Sequence, residues 1–155
     1  MRPLRYYVDT SVWNFLLEED RPEHRAATEQ FFQQFPAAGT LVISEVVLRE
    51  VRQAPPARRA ALEQTIKQHP VELLEVTAEA ETLAHRYVAE QLIPPKKVDD
   101  ALHLAIAVVQ ECDVVVSWNF AHMVKLTTRL GVNGINRLLG YREIEIVSPE
   151  EVMSS

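Results

Sequence analysis

The sequence has few of the features that mark secreted or membrane proteins. Its single cysteine, Cys112, cannot form an internal disulfide, and the apolar residues before it favour a buried, unreactive thiol. No apolar run reaches the roughly 18 residues of a membrane span. Residues 1–3 lead into the first apolar run without a signal-peptide pattern. These absences predict a soluble, cytoplasmic protein without a membrane partner.

An excess of basic residues is also absent. The chain has 16 Lys and Arg against 22 Asp and Glu, and its formal net charge of -6 opposes non-specific binding to DNA or anionic membranes. A nucleic-acid substrate is not excluded, because a divalent metal ion and local basic residues can reverse the field at one site. With 155 residues, of which 47% are hydrophobic, the chain fits one domain. We predict this domain over residues 1–150, followed by a loose tail at 151–155.

Apolar runs alternate with helical patterns along the chain. The helix predicted at residues 99–111 is apolar nearly all round and should be the central packed helix, whereas the helix at 22–35 places Phe31, Phe32 and Phe35 on one face. This alternation predicts a parallel α/β sheet covered by helices on both faces. Strands are predicted at 4–8, 41–44, 71–76, 114–117 and 144–147, and further helices at 45–53, at 57–68 and after Thr77.

Polar side chains follow the predicted strands at the edge where α/β sheets bind ligands. Asp9 follows the first strand, Asn119 follows the strand at 114–117, and Glu50 lies on the helix after the second strand. Asp99 and Asp100 begin the central helix, where neighbours point roughly 100° apart, so only one can face the site. We predict that Asp100 faces the site and that Asp99 caps the helix, with the reverse assignment as an alternative.

The crowded acids at this edge indicate a bound cation. Carboxylates without Lys or Arg partners repel one another, and a metal ion would neutralise them. Oxygen ligands favour Mg²⁺ or Mn²⁺, and the sequence has no paired Cys or His spacing of the kind that binds zinc. Such ions can bring a water towards hydroxide and stabilise the charge on an attacked phosphodiester. A phosphatase with a nucleophilic Asp is disfavoured, because Ser11 occupies the second position of the usual Asp-x-Asp pair.

Four segments, in this order and spacing, resemble the signatures of the PIN-domain family. They are residues 9–11 (Asp-Thr-Ser), 43–51, 100–105 and 116–119 (Val-Ser-Trp-Asn). The resemblance implies a three-layer α/β/α sandwich with a parallel sheet of four to five strands. It also implies a hydrolase, an endoribonuclease that depends on Mg²⁺ or Mn²⁺ and leaves a 5′-phosphate. By position, Asp9, Glu50 and Asp100 are the implied metal ligands, and Asn119 completes the implied catalytic set.

The resemblance also implies partners. Many small prokaryotic members of the family are VapC-type toxins, usually dimeric, that a cognate antitoxin inhibits. For this chain it therefore implies an RNA substrate, a role as the toxin of a type II toxin-antitoxin pair, an antitoxin and a homodimer. The chain departs from the family pattern at Asn119, where Asp is often found, and at His122, where a further Asp is common. One alternative is thus an inactive PIN domain that binds RNA or a protein, and the number of metal ions stays open.

Structural roles remain as alternatives for several of these residues. Asp9 could serve as a helix cap, Glu45 could replace Glu50 at the site, and Asn119 could be a turn residue. His103 lies on the same helical face as Asp100, and we predict that it is a core histidine with a satisfied hydrogen bond.

Overall fold

Five parallel strands form one sheet in the computed structural model, which describes residues 2–34 and 39–154. The strands lie in the order β3-β2-β1-β4-β5, so β1 is central and has a parallel neighbour on each side. Tyr7 of β1 pairs with Val42 on one side and with Val115 on the other. The predicted parallel α/β fold is thereby confirmed. The strands are β1 (Leu4–Val8), β2 (Gly39–Ser44), β3 (Val71–Leu74), β4 (Val114–Val116) and β5 (Glu145–Val147).

Helices flank this sheet. In the described residues, α5 packs against α6 and α2 packs against α8. None of these helices combines the length and the apolar character that a membrane crossing requires. The helices are α1 (Thr10–Phe15), α2 (Pro22–Gln34), α3 (Glu45–Arg52), α4 (Pro56–Lys67), α5 (Ala78–Ala89), α6 (Val98–Val109), α7 (Leu126–Leu138) and α8 (Pro149–Ser154), with a 3₁₀-helix at Pro95–Lys97 before α6.

The core lies on both faces of the central strands. Every residue from Ala101 to Val108 of α6 is buried, as the predicted role of a central packed helix requires. Phe31 and Phe32 of α2 are buried in the core as well. Phe35, predicted on the same helical face, lies outside the described residues. Strands buried on both faces read as continuous apolar runs, which is why β1 and β4 are recognisable in the sequence.

The start of α6 differs from the prediction. The helix begins at Val98, its N-cap residue is Lys97, and no side chain caps it, so the predicted capping role of Asp99 is wrong. Pro95 opens the preceding 3₁₀-helix, because its fixed φ suits a first helical position. Asp99 lies in the first turn of α6 and instead binds Arg49 on the surface, at 2.7 Å.

The end of the chain also differs from the prediction. Residues 151–154, predicted as part of a loose tail, belong to α8. Pro149 begins this helix, and the Ser148 hydroxyl accepts a hydrogen bond from the Glu151 backbone amide at 3.2 Å. Val152 is buried, and α8 packs against α2. The predicted domain boundary at residue 150 therefore falls inside a helix.

Candidate active site

Asp9 lies at the carboxyl end of β1 and caps α1. Its Oδ1 accepts hydrogen bonds from the Val12 backbone amide at 3.3 Å and from the Ser11 hydroxyl at 2.5 Å. Its Oδ2 accepts a hydrogen bond from the Ser117 hydroxyl at 2.6 Å. The helix-cap role and the position at the sheet edge thus coexist in one side chain. Burial raises the pKa of Asp9 above its ordinary value, although these hydrogen bonds and the nearby His103 oppose the shift.

The loop that follows β4 is tied to the turn that follows β1. Val8 and Val116 are partners in the β1–β4 ladder, so the two chain segments leave the sheet side by side. The Ser11 hydroxyl accepts a hydrogen bond from the Trp118 backbone amide at 2.9 Å. The Ser117 hydroxyl accepts one from the Asn119 backbone amide, also at 2.9 Å. These contacts fix the position of Asn119 relative to Asp9.

Asn119 connects this loop to the first turn of α6. Its Oδ1 accepts a hydrogen bond from the His122 backbone amide at 2.9 Å. Asn119 is therefore the turn residue that the sequence analysis gave as an alternative. The Nδ2 amino group is then free to donate, and it binds Asp100 Oδ2 at 3.0 Å. Burial raises the pKa of Asp100, while the hydrogen bond from Asn119 and the charges of His103 and His122 oppose the shift. The structure therefore places Asp100 at the predicted sheet edge.

Glu50 reaches the same region from α3. Its Oε1 accepts hydrogen bonds from the Thr10 hydroxyl and from His103 Nε2, both at 2.6 Å. Burial alone would raise the pKa of Glu50, but the hydrogen bond and charge of His103 outweigh it and hold the pKa below its ordinary value. Glu45, the alternative at this site, is exposed and binds the Val76 backbone amide. Glu50 is thus the glutamate near the other acids.

His103 interacts with the candidate acids, a role that the sequence analysis did not predict. It is buried, as predicted for a core histidine, and its Nδ1 lies 2.6 Å from the Tyr7 hydroxyl. The Tyr7 hydroxyl lies in turn 2.7 Å from the Ser44 hydroxyl. Burial would lower the pKa of His103, but Glu50, Asp9 and Asp100 together raise it above its ordinary value. All three predicted acids therefore lie close enough to His103 to stabilise its positive charge.

The acids fit a hard cation in their chemistry but are not gathered as a complete ligand set. Asp9 and Asp100 offer carboxylate oxygens, and neither forms an ion pair with Lys or Arg in the described part of the chain. A cation would offset the burial that raises both pKa values. Across residues 2–34 and 39–154, however, no three His, Cys, Asp or Glu side chains are grouped closely enough to hold a metal ion. The Oε1 atom of Glu50 is engaged by Thr10 and His103.

Comparisons with known proteins agree with this fold. The family model described as "PIN domain" matches residues 6–119. A chain in the structure of VapBC2 from Rickettsia felis bound to a DNA fragment from their promoter superposes with a TM-score of 0.59. It has 13% sequence identity and covers 94% of this chain and 98% of that one. Mycobacterium tuberculosis VapC20, described as a Sarcin-Ricin loop cleaving toxin, superposes with a TM-score of 0.56 and 17% sequence identity. The match covers 76% of this chain and 92% of that one. At these identities the structures support the fold alone, and no curated protein matches the chain by sequence.

Proposed function

This chain belongs to the PIN-domain family, and from that premise we propose that it is an RNA endonuclease that depends on Mg²⁺ or Mn²⁺. One observation carries the proposal. Two carboxylates with raised pKa values, Asp9 and Asp100, are held by neighbouring residues of one loop, Ser117 and Asn119, at the carboxyl edge of a parallel sheet. Such an arrangement is costly for stability unless a cation or substrate uses it.

In this proposal the residues of the site divide into ligands and supports. Asp9 and Asp100 would hold the ion, and Glu50 would contribute directly or through water. When bound, the ion supplies a water of lowered pKa and neutralises charge on the attacked phosphodiester. Ser11 and Ser117 orient the Asp9 carboxylate, and Asn119 orients that of Asp100. His103 holds Glu50 through their hydrogen bond.

Cleavage of a labelled RNA panel in Mn²⁺ tests the proposal. We expect cutting by the native protein, no cutting in EDTA, and at least a roughly hundredfold loss in Asp100→Asn. Asp99→Asn is the matched control, because it removes the neighbouring acid, which faces Arg49 on the surface. Equal cutting by Asp100→Asn and the native protein would reject the assignment of Asp100. Cutting that persists in EDTA would reject the metal dependence.

The second candidate function is an inactive PIN domain that binds RNA or a protein. It is favoured by the amide of Asn119 at a position where the family often has an acid, and by the engagement of Glu50 with His103. This function predicts RNA retention without cutting, and no effect of Mn²⁺ on thermal stability. The same RNA panel, analysed by filter binding and by gel, separates the two candidates.

We also propose the finer role of a cytoplasmic toxin with an antitoxin partner and a homodimeric state. The similar fold of VapBC2 from Rickettsia felis, which is bound to a DNA fragment from its promoter, motivates the search for a partner here. For the dimer, α7 presents the exposed leucines Leu126, Leu130 and Leu138, and Gly134 lies in the same four-residue spacing with open space beside it. Sedimentation of the native protein and of Leu130→Asp would test this face, and a monomeric native protein would contradict the dimer.

A further inference from the structure

Four aromatic rings cluster beside the loop that carries Asn119. They belong to Phe15 of α1, His24 of α2, and Trp118 and Phe120 of the loop after β4; we call them the aromatic cluster. His24 stacks on Trp118 with ring centroids 4.1 Å apart and planes inclined by 16°. Phe15 and Phe120 meet Trp118 at 5.5 and 5.9 Å, in tilted and edge-to-face geometry. Three separate chain segments therefore build one surface.

The Trp118 ring of the aromatic cluster is held in place by a hydrogen bond, and the His24 ring by stacking on it. The Trp118 indole donates from Nε1 to the Thr28 hydroxyl at 2.8 Å, and that hydroxyl donates to the His24 carbonyl at 2.6 Å. Trp118 is only 6% exposed, so it serves as a fixed base beneath the outer ring. A surface fixed before binding loses little conformational entropy when a ligand arrives.

Phe120 is the outer ring of the aromatic cluster, and 48% of its surface is exposed. A single exposed apolar side chain is common, but this one borders a cleft of about 430 Å³, which is within the range of small-molecule sites. Phe120 directly follows Asn119, whose amide binds Asp100. The cleft therefore adjoins the loop that carries Asn119, the residue that binds the candidate catalytic acid Asp100.

The polar residues of the cleft indicate what it can accept. The charged residues that line it, which we call its rim, are Glu18, Asp20 and Arg21, two acids and one base. Glu18 lies 4.0 Å from Arg58, whereas Asp20 forms no ion pair in the part of the chain that the structure describes. A rim with more negative than positive charge opposes a phosphate. Its carboxylates accept hydrogen bonds from the amino and imino groups of a base.

We propose that this cleft is a nucleobase subsite, in which one base of single-stranded RNA stacks on Phe120. The base would direct its N–H groups towards the carboxylates of the rim, and the adjoining phosphate would lie towards Asp9 and Asp100. Bases that are unstacked and splayed out are the usual targets of aromatic side chains in RNA recognition. The inference rests on the proposed nuclease function and names the part of its substrate that binds outside the acids.

Binding of a short single-stranded RNA that contains 2-aminopurine tests the subsite. The Asp100→Asn protein keeps the RNA intact, and stacking quenches the fluorescence of 2-aminopurine. We expect Phe120→Ala to weaken binding roughly tenfold and to remove the quenching, because a stacked base contributes on this order. Phe120→Tyr should restore both. Leu139→Ala is the matched control, since Leu139 is 45% exposed and lines a different cleft.

An abasic position in the same RNA gives a second, independent measurement. Removing the base that Phe120 contacts should weaken binding as much as Phe120→Ala does, and the two changes combined should cost no more than either alone. In the cleaving protein, Phe120→Ala should raise KM and leave kcat nearly unchanged, as expected when an interaction is equal in ground and transition states.

The outcomes separate this inference from the proposed function. Cutting by the native protein together with equal RNA binding by Phe120→Ala would overturn the subsite and leave the nuclease intact. Quenching that depends on Phe120 without any cutting would support the subsite and contradict the nuclease.

Discussion

At the scale of single residues, the site is organised by neutral donors around buried acids. Ser11, Ser117 and Asn119 each donate a hydrogen bond to Asp9 or Asp100, and none carries a positive charge that would compete with a cation. Among the three acids, Glu50 alone has a titratable donor in the described residues, His103. The carboxylates of Asp9 and Asp100 are thereby fixed in position without an ion pair to Lys or Arg in the described residues, and their pKa values stay raised despite the nearby His103, an arrangement that suits a bound cation.

His103 gives the first prediction. His103→Leu removes one of the two hydrogen-bond partners of the Tyr7 hydroxyl and one of the two of Glu50 Oε1, and the loss of hydrogen bonds to buried groups is destabilising. We expect the free energy of unfolding to fall by roughly 2–4 kcal/mol in urea titrations. His122→Leu is the control, because its side chain is half-buried and its backbone amide, which the substitution keeps, binds Asn119. A loss below about 0.5 kcal/mol in His103→Leu would argue against the hydrogen-bond chain.

At the scale of elements, the sheet is largely predictable from the sequence and the short helices are not. All of β1, the start of β3 and all of α3 follow from apolar runs and caps, although the predicted helix at 45–53 extends one residue beyond α3. The sequence does not reveal α1, because Asp9 marks the end of a strand and also caps the next helix. It does not reveal α7 either, because the exposed leucines blur the one-sided apolar pattern that identifies a helix.

The site is predictable to a different degree at each residue. Asp9 and Asn119 follow two neighbouring strands, so their proximity follows from the rule that parallel strands end at one edge. The contact between Glu50 and His103 joins α3 to α6, and it depends on how both helices pack and on the orientation of the imidazole against Tyr7. The spacing of residues in the sequence determines neither the packing of these helices nor the orientation of the imidazole.

Two glycines give a prediction about elements. A Cβ atom at Gly39, at the start of β2, would lie 2.4 Å from the Leu4 carbonyl oxygen and 2.7 Å from the Tyr6 ring. The backbone of β1 would have to shift, so Gly39→Ala should destabilise the protein by roughly 1–3 kcal/mol. Gly134→Ala should stabilise it by roughly 0.5–1 kcal/mol, because this Cβ would meet nothing within 4 Å and alanine favours the helix. Equal unfolding midpoints in urea for the two variants would contradict this account.

Asp113 gives a prediction about pH. Arg2 binds its carboxylate through two hydrogen bonds, at 2.6 and 2.9 Å, and the Arg5 backbone amide binds it at 2.8 Å, which joins the start of β1 to that of β4. The hydrogen bond from Arg2, followed by the other contacts, holds the pKa of Asp113 below its ordinary value of 3.8. The resulting stability is present above that value and is lost as the pH falls through the lower folded-state pKa.

Asp113→Asn should therefore destabilise the protein by roughly 1–2 kcal/mol at pH 7 and by progressively less below pH about 4. Urea titrations of the two proteins across this pH range would measure the difference. Glu143→Gln is a control, since Glu143 pairs with Arg137 on an exposed surface and should change stability by under about 1 kcal/mol. A difference for Asp113→Asn that stays constant down to the lowest pH would show that the charge is not its source.

At the scale of the whole molecule, binding and stability are linked through the acids. Burial of the Asp9 and Asp100 carboxylates disfavours their charged forms in the folded protein, and any cation that binds only the folded protein will stabilise it. The thermal stability of the whole chain therefore reports whether a cation binds at the site, which separates the two candidate functions. Thermal unfolding measures this link without an RNA substrate.

Mn²⁺ should raise the melting temperature of the native protein. At a concentration about 100 times the dissociation constant, the gain is about 2.7 kcal/mol, or roughly 5–10 °C for a domain of this size. Asp100→Asn should lose most of this shift, and Asp99→Asn should keep it, because Asp100 faces the site whereas Asp99 binds Arg49. Unchanged melting in millimolar Mn²⁺ would contradict metal binding by the folded protein.

The position of β4 beside β1 has a consequence for the order in which the protein is made. The strand that carries Asp9 is synthesised first, but its partner Val116 and the serine that fixes its carboxylate, Ser117, follow more than a hundred positions later. Pairings so distant in sequence form slowly, after the local helices. A nascent chain on the ribosome therefore lacks the serine that orients the Asp9 carboxylate until most of the domain has emerged, so the candidate site is completed late in synthesis.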